Sequence, residues 1–191
     1  MPKKSTQESG LTTRQLSPNK AKASILHALK IKRPIFLWGG PGIGKSEVVH
    51  QIAKNIEAKV IDIRLSLWEP TDIKGIPFFN SKENNMVWAQ PSELPTSALA
   101  KKHKNIVLFL DEMNSAAPSV QAAAYQLILN RKVGTYTLPD NVLIVAAGNR
   151  EADKGVVYRM PAPLANRFCL LYTSDAADEG LGVDLGGRRI I

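Results

Sequence analysis

The chain has 191 residues, a length that suits one α/β domain rather than two. Hydrophobic residues make up 44% of it and charged residues 22%, as in ordinary globular proteins, and no apolar run approaches the about 20 residues that a membrane span needs. The single cysteine, Cys169, excludes an intrachain disulfide and a multi-cysteine zinc site and fits a cytoplasmic protein. The formal net charge is +8, but beyond the first 33 residues the lysines and arginines are spread rather than clustered, which favours a solvated basic surface over a nucleic-acid partner.

The first half of the chain predicts strands that alternate with helices. Residues 1–18 are polar and aperiodic, and we predict that they are disordered. A helix is predicted at 19–32 and a short buried strand at 35–38. A second helix, with its apolar residues on one face, is predicted at 45–56, and the next strand at 60–64. This alternation is typical of a parallel sheet that helices cover.

The second half contains a predicted β-hairpin and two further buried strands. The β-prone runs at 78–79 and 86–88 flank a polar loop at 80–85, which is the pattern of a hairpin. The other predicted elements are a turn or short helix at 70–75, helices at 97–102 and 118–130, and continuous apolar strands at 106–110 and 142–147. Because continuous apolar strands are buried on both faces of a sheet, the predicted fold is a three-layer α/β/α domain with a parallel sheet.

A glycine-rich loop follows the first buried strand and reads GGPGIGKS, which satisfies the pattern G-x-x-x-x-G-K-[ST]. Glycines let successive backbone N–H groups converge on phosphate oxygens, and the helix that follows directs its positive end at the anion. Lys45 is expected to reach the β- and γ-phosphates and Ser46 to ligate Mg²⁺. A glycine-rich turn without a ligand is the alternative. The predicted residues that bind ATP are Gly39, Gly40, Pro41, Gly42, Ile43, Gly44, Lys45, Ser46 and Glu47.

Two adjacent carboxylates end the apolar strand at 106–110. Asp111 is expected to hold Mg²⁺ together with Ser46, and Glu112 to polarise the attacking water as a general base. Two acids at the end of a buried strand are costly unless they meet a cation. Asn149 follows the strand at 142–147 and can hold the water in line, although a simple turn asparagine is the alternative.

Four segments resemble the motifs of the AAA+ ATPases, and within them the MoxR-like group and its dynein-related relatives. GGPGIGKS resembles the Walker A motif, LFLDEMNSA the Walker B motif, AAGNR the sensor-1 segment and PLANRF the arginine-finger segment. By this resemblance the functional residues are Lys45, Ser46, Asp111, Glu112, Asn149 and Arg167. The resemblance implies a P-loop fold, ATP hydrolysis in a homo-oligomeric ring, usually a hexamer, and the remodelling or maturation of a protein partner. MoxR-like members often act with von Willebrand A-domain proteins.

The resemblance also bears on segments outside these motifs. The hairpin at 78–88 is similar to an insert that this group places in its second helix and that faces the axis of the ring, where substrates pass or dock. Arg131 resembles a basic position that faces the neighbouring subunit, although a cation that complements the helix dipole is equally consistent. A helical lid with a second sensor arginine is expected after Phe168. Two other functions stay open. The first is a nucleic-acid-linked motor or restriction-type NTPase, which the positive net charge favours. The second is a monomeric P-loop kinase, in which Asn149 and Arg167 would have no role.

The last 23 residues, CLLYTSDAADEGLGVDLGGRRII, differ in character from the rest. They resemble the translated read-through of a sequencing adapter. We therefore interpret residues 169–191 as a non-native tail that packs poorly against the core, and we expect the nucleotide-binding domain to span residues 19–168.

Overall fold

The structure is a computed structural model that describes residues 15–16, 18–149, 158 and 168–173. Its strands are β1 (Gln15–Leu16), β2 (Ile35–Trp38), β3 (Ala58–Arg64), β4 (Ile76–Asn80), β5 (Asn85–Ala89), β6 (Asn105–Asp111), β7 (Lys132–Val133), β8 (Tyr136–Thr137), β9 (Val142–Gly148) and β10 (Cys169–Thr173). Its α-helices are α1 (Pro18–Lys30), α2 (Lys45–Asn55), α3 (Pro70–Lys74), α4 (Ser97–Lys102) and α5 (Pro118–Asn130). Two 3-10 turns lie at Leu65–Leu67 and Met113–Ser115.

Within the described residues, six strands form one parallel sheet in the order β1-β10-β2-β9-β6-β3. Successive side chains of a strand point to opposite faces of a sheet, and the central strands show this division. Phe36, Leu108 and Ala146 pack with α5 in one buried cluster. Leu37 and Phe109 pack with α1 and α2 in a second cluster on the other face. The predicted three-layer α/β/α fold with a parallel sheet is therefore confirmed.

Most predicted elements lie within a few residues of the observed bounds, and the differences concern the short strands. Residues 1–18 were expected to be disordered, but Gln15–Leu16 pair in parallel with β10, and Pro18 already begins α1. Such a pairing depends on a distant strand, which local polarity does not reveal. Residues 1–14 lie outside the described part of the chain. No helix within the described residues is long and apolar enough to cross a membrane.

The segment Cys169–Thr173 is strand β10 and lies between β1 and β2. The backbone N–H of Cys169 donates to the carbonyl of Pro34 at 2.9 Å, and the side chain of Leu171 is 5% exposed within the cluster formed with α1 and α2. The prediction that the tail packs poorly is therefore wrong for these five residues, because an apolar run completes the sheet beside β2. The remainder of the tail, residues 174–191, lies outside the described residues, and the domain boundary and the origin of the tail stay predictions.

In the part of the chain that the structure describes, two hairpins lie outside the main sheet. The predicted one is formed by β4 and β5, which pair over five residues around a loop at 81–84. Its strands carry no charged residue, and four of its large apolar side chains are exposed, namely Ile76, Phe78, Phe79 and Met86. The second hairpin, β7 and β8, was not predicted, because two-residue strands leave no periodic signal.

Candidate functional site

Three strands bring the predicted site residues to one edge of the sheet. Because β2, β9 and β6 are adjacent and parallel, their carboxyl ends meet at the same edge, where ligands of open α/β sheets bind. The glycine-rich loop and Lys45 follow β2, Asn149 follows β9, and Asp111 ends β6. The three groups are thereby placed side by side although they are far apart in the sequence.

The glycine-rich loop needs glycine for its backbone conformation. Gly42 has φ +79° and Gly44 has φ +82°, in the left-handed region that residues with a Cβ rarely adopt. A Cβ at either position would meet nothing within 4 Å, so the concave side of the loop offers space for a ligand. Gly44 also accepts the backbone N–H of Val48 at 3.0 Å, which begins the hydrogen-bonding pattern of α2. The loop therefore directs the positive end of α2 toward this space.

The ammonium group of Lys45 links the loop to the end of β9. Its Nζ donates to the carbonyls of Gly39 and Gly40, both at 2.8 Å, and to Oδ1 of Asn149 at 3.0 Å. Phosphate oxygens form stronger hydrogen bonds with an ammonium group than neutral carbonyls do. The Lys45 side chain is therefore positioned where it can exchange carbonyl partners for an anion.

Ser46 and Asp111 form an oxygen pair beside the loop. The Ser46 hydroxyl donates to Oδ2 of Asp111 at 3.3 Å, and Oδ1 of Asp111 accepts the backbone N–H of Glu112 at 2.8 Å. A hydroxyl and a carboxylate are the hard oxygen ligands that Mg²⁺ prefers. Among the described residues no group of three or more His, Cys, Asp and Glu side chains could hold a metal. The pair fits Mg²⁺, which is usually held by one or two carboxylates together with substrate phosphates and waters.

The Glu112 carboxylate is held by two residues that follow or end β3. Ser66 donates its hydroxyl hydrogen bond to Oε2 of Glu112, and Nε of Arg64 lies 3.5 Å from Oε1. The Glu112 backbone adopts the left-handed conformation, with φ 52° and ψ 33°, which turns the chain sharply after β6. In this arrangement the carboxylate is directed toward β3. Sequence reasoning missed Ser66 and Arg64, because their proximity to Glu112 depends on β3 being the neighbour of β6.

Asn114 fixes the backbone of Asn149, and sequence reasoning missed this role too. The Asn114 side chain is 1% exposed; its Nδ2 donates to the carbonyl of Asn149 at 2.7 Å, and its Oδ1 accepts the Asn149 backbone N–H at 3.0 Å. A Cβ at Gly148 would come within 2.4 Å of that Oδ1 and within 2.8 Å of the Phe36 ring, so glycine permits this close approach. The only sequence signal was the position of Asn114 two residues after Glu112.

The predicted residues line one cavity of about 320 Å³, a volume typical of a small-molecule site. Its lining consists of Pro41, Gly42, Gly44, Lys45, Ser46, Glu47, Arg64, Asp111, Glu112 and Asn149. Gly39 and Gly40 reach the site through their bonds to Lys45, and Ile43 is not part of the lining. The Glu47 side chain accepts a hydrogen bond from Gln51 at 2.8 Å and is exposed. Arg167 lies outside the described residues.

Arg131 is not among the residues that line this cavity. Its guanidinium donates to the carbonyls of Pro139 at 2.6 Å and Val142 at 2.9 Å, and its backbone is left-handed at the end of α5. Burial lowers the pKa of the guanidinium, and Asp140 opposes this effect. The side chain therefore secures the connection into β9, a role that neither the subunit-facing interpretation nor the helix-dipole interpretation describes.

The chain is similar to several known proteins. It matches the family described as "ATPase family associated with various cellular activities (AAA)" over residues 35–171. Midasin of Giardia intestinalis is 29% identical over 157 residues, which is 78% of this chain and 3% of midasin. The match to the family covers well over half of the chain.

Two solved structures share the fold. A Cytophaga hutchinsonii protein assigned as an ATPase matches with a TM-score of 0.58 and 20% identity, over 83% of this chain and 47% of the other. The RuvB Holliday junction branch migration motor of Thermotoga maritima matches with a TM-score of 0.51 and 20% identity, over 82% of this chain and 44% of the other. The chain thus spans less than half of either structure.

Proposed function

The chain belongs to the AAA family of ATPases, and we propose that its cavity binds ATP with Mg²⁺ and that its residues hydrolyse the terminal phosphate. The observation that carries this proposal is the convergence of Lys45, Asn149 and the Ser46–Asp111 pair at one edge of the sheet. A cation, backbone amides, an oxygen pair and a second acid are the groups that phosphoryl transfer to water requires.

Each residue has a defined role in this reaction. Lys45 exchanges the carbonyls of Gly39 and Gly40 for phosphate oxygens. Ser46 and Asp111 would hold Mg²⁺, which would neutralise charge on the phosphates. Water attacks the γ-phosphorus, the bond from that phosphorus to the bridging oxygen breaks, and the products are ADP and phosphate.

The proton of the attacking water passes to the Glu112 carboxylate, which acts as the general base. Asn149 orients the water, and Asn114 fixes Asn149 through its two backbone hydrogen bonds. Ser66 and Arg64 each contact one oxygen of Glu112 and direct the carboxylate toward β3, so these contacts set the position of the base relative to the attacking water.

The substitution Lys45→Ala tests the nucleotide site. It removes the ammonium group that bridges the loop and β9, so affinity for a fluorescent ATP analogue should fall at least tenfold, about 1.4 kcal/mol. Lys54→Ala is the matched control, because Lys54 is exposed on the same helix. Equal affinities of the two variants would refute the proposed site.

We also propose that the protein acts as a homo-oligomeric ring that remodels or matures a protein partner, in the manner of MoxR-like ATPases. The exposed apolar hairpin of β4 and β5 supports a protein partner, since its strands offer no cation to a nucleic-acid phosphate. A nucleic-acid-linked motor is the second candidate, favoured by the net charge of +8. Stimulation of ATP hydrolysis by DNA, with a steep loss on adding salt, would favour that second function.

Arg167 is proposed as an arginine finger that acts on the nucleotide of the neighbouring subunit. A finger supplied in trans contributes about 10³–10⁵ in rate. Subunits carrying Arg167→Ala and subunits carrying Lys45→Ala should each be inactive, and mixing them should restore part of the activity, because some interfaces then combine an intact loop with an intact finger. Co-assembly of the two variants without any recovery would exclude the trans role.

A further inference from the structure

A second groove, of about 370 Å³, lies against β3 and away from the glycine-rich loop. Four consecutive residues of the strand, 61–64, line it together with Leu67, Trp68 and Glu93. Because successive side chains point to opposite faces of a sheet, four consecutive residues can share one groove only where it runs along the edge of the strand. The groove therefore follows the edge of β3.

This edge has no strand partner among the described residues. β3 ends the strand order and pairs over seven residues with β6 on its other side. Alternate residues of such an edge strand direct their N–H and C=O groups outward, where they can pair with another chain. An extended peptide can add a strand to an edge of this kind, with pockets beside it that select the side chains.

The side chains of the groove indicate the chemistry of its ligand. Leu67 is 77% exposed and lies beside the half-buried Trp68, which together offer an apolar surface. Asp62 and the exposed Glu93 contribute two carboxylates, of which Asp62 Oδ2 lies 3.4 Å from Nε2 of His50. The cation that lines the groove, Arg64, lies 3.5 Å from the Glu112 carboxylate. The lining thus carries two carboxylates against one guanidinium, on a chain whose net charge is +8.

We propose that the β3 edge and this groove bind an extended basic segment of a protein partner, in which lysine or arginine alternates with apolar residues and which adds to the sheet as a further strand. The acidic side chains attract such a segment and repel the phosphates of a nucleic acid. At about 3.3 Å per residue, the four groove residues span about 13 Å, which matches an extended segment of about four residues.

The site is separate from the nucleotide cavity but adjoins it through Arg64, which lines both. A bound segment would thus lie beside a residue that holds Glu112. The binding site itself does not depend on the proposed ATP hydrolysis, so a direct binding measurement tests it alone.

The test uses a fluorescein-labelled, end-capped octapeptide of alternating valine and lysine, titrated with the 191-residue chain and followed by fluorescence anisotropy. One comparison peptide carries glutamate in place of lysine, and another carries N-methyl groups on alternate backbone nitrogens. N-methylation removes hydrogen-bond donors and keeps the charge. We expect the valine–lysine peptide to bind at least tenfold more tightly than either comparison peptide.

Two protein variants locate the site. Glu93→Lys reverses a charge in the groove and should weaken binding of the valine–lysine peptide at least tenfold. Glu83→Lys makes the same change in the loop between β4 and β5 and should leave the affinity within about twofold. Both glutamates are exposed, and circular dichroism would verify that both variants fold. Absence of peptide binding, equal binding of the comparison peptides, or equal affinities of the two variants would overturn the proposal.

Discussion

At the scale of single residues, the contacts of Glu112 set the position of the carboxylate that is proposed as the general base. The Glu112 side chain is about 37% exposed. Its carboxylate accepts a hydrogen bond from Ser66 and lies near Arg64, so these contacts restrict its position. Glu112 lines the nucleotide cavity, and its contacts with Ser66 and Arg64 set where its carboxylate lies within that cavity. The position of this carboxylate, rather than its presence alone, therefore controls hydrolysis in the proposed mechanism.

The substitution Glu112→Gln should separate binding from hydrolysis. The amide keeps the shape of the side chain but cannot accept the proton, so ATP hydrolysis should fall by roughly 10²–10⁴-fold while affinity for the ATP analogue is retained. Phosphate release measures the first quantity and analogue titration the second. Turnover near that of the unaltered chain would mean that another group is the base.

The substitution Asn114→Ala should affect both stability and turnover. It leaves the backbone N–H and C=O of the half-buried Asn149 without their partner, at a cost of up to about 1–3 kcal/mol for each group. Urea unfolding measures the loss of stability and phosphate release the loss of activity. Asn130→Ala, at the exposed end of α5, is the control and should change neither by a measurable amount.

The residues of the candidate site differ in how readily the sequence predicts them. Lys45, Ser46 and Asp111 belong to short contiguous patterns whose chemistry depends on local spacing. Ser66 and Asn114 act on partners that lie 46 and 35 positions away in the sequence. Those contacts follow from the strand order and from the turn after β6, neither of which a local pattern encodes.

At the scale of elements, the long strands and helices were predictable, whereas the short strands were not. Continuous apolar runs and helical periodicity mark β6, β9 and α5, because burial on both faces or on one face leaves a pattern in the residues. β1 consists of two residues and exists through its pairing with β10. β10 was not predicted, because residues 169–191 resemble an adapter read-through and were assigned to a non-native tail, although Cys169–Thr173 suit a buried strand.

The substitution Leu171→Ala tests whether β10 is part of the core. Leu171 is 5% exposed, so its truncation should lower the free energy of unfolding by about 2–4 kcal/mol. Leu67→Ala removes the same atoms from a side chain that is 77% exposed and should change stability by less than about 0.5 kcal/mol. Equal urea midpoints for the two variants would restore the interpretation that the tail packs poorly.

At the scale of the whole molecule, two tyrosines link stability to alkaline pH. Burial raises the pKa of Tyr125 to about 12 and also raises the pKa of Tyr136, which nearby Arg131 partly offsets. The unfolded chain ionises its tyrosines near pH 10. Above that pH the unfolded state loses protons before the folded state does, so the stability contributed by these groups is complete below about pH 10 and is lost as the pH rises toward 12.

The double substitution Tyr125→Phe and Tyr136→Phe should therefore flatten the dependence of the urea midpoint on pH above about 10. The slope is the readout, because lost hydrogen bonds lower the midpoint at every pH and leave the slope unchanged. Tyr158→Phe alters a tyrosine that is 40% exposed and serves as the control. A double variant with the same slope as the unaltered chain would contradict the role assigned to burial.

The hydrogen bond between Lys45 and Asn149 joins residues that are 104 positions apart. Closing so long a loop costs entropy before the contact stabilises it, so we expect this contact to form after the local strands and helices around it. A chain that has formed only its first strands and helices therefore has the phosphate loop but lacks the far side of the site. ATP, by binding only the completed arrangement, would shift the folding equilibrium toward it by mass action. ATP binding would then favour those chains in which β9 has already joined the sheet.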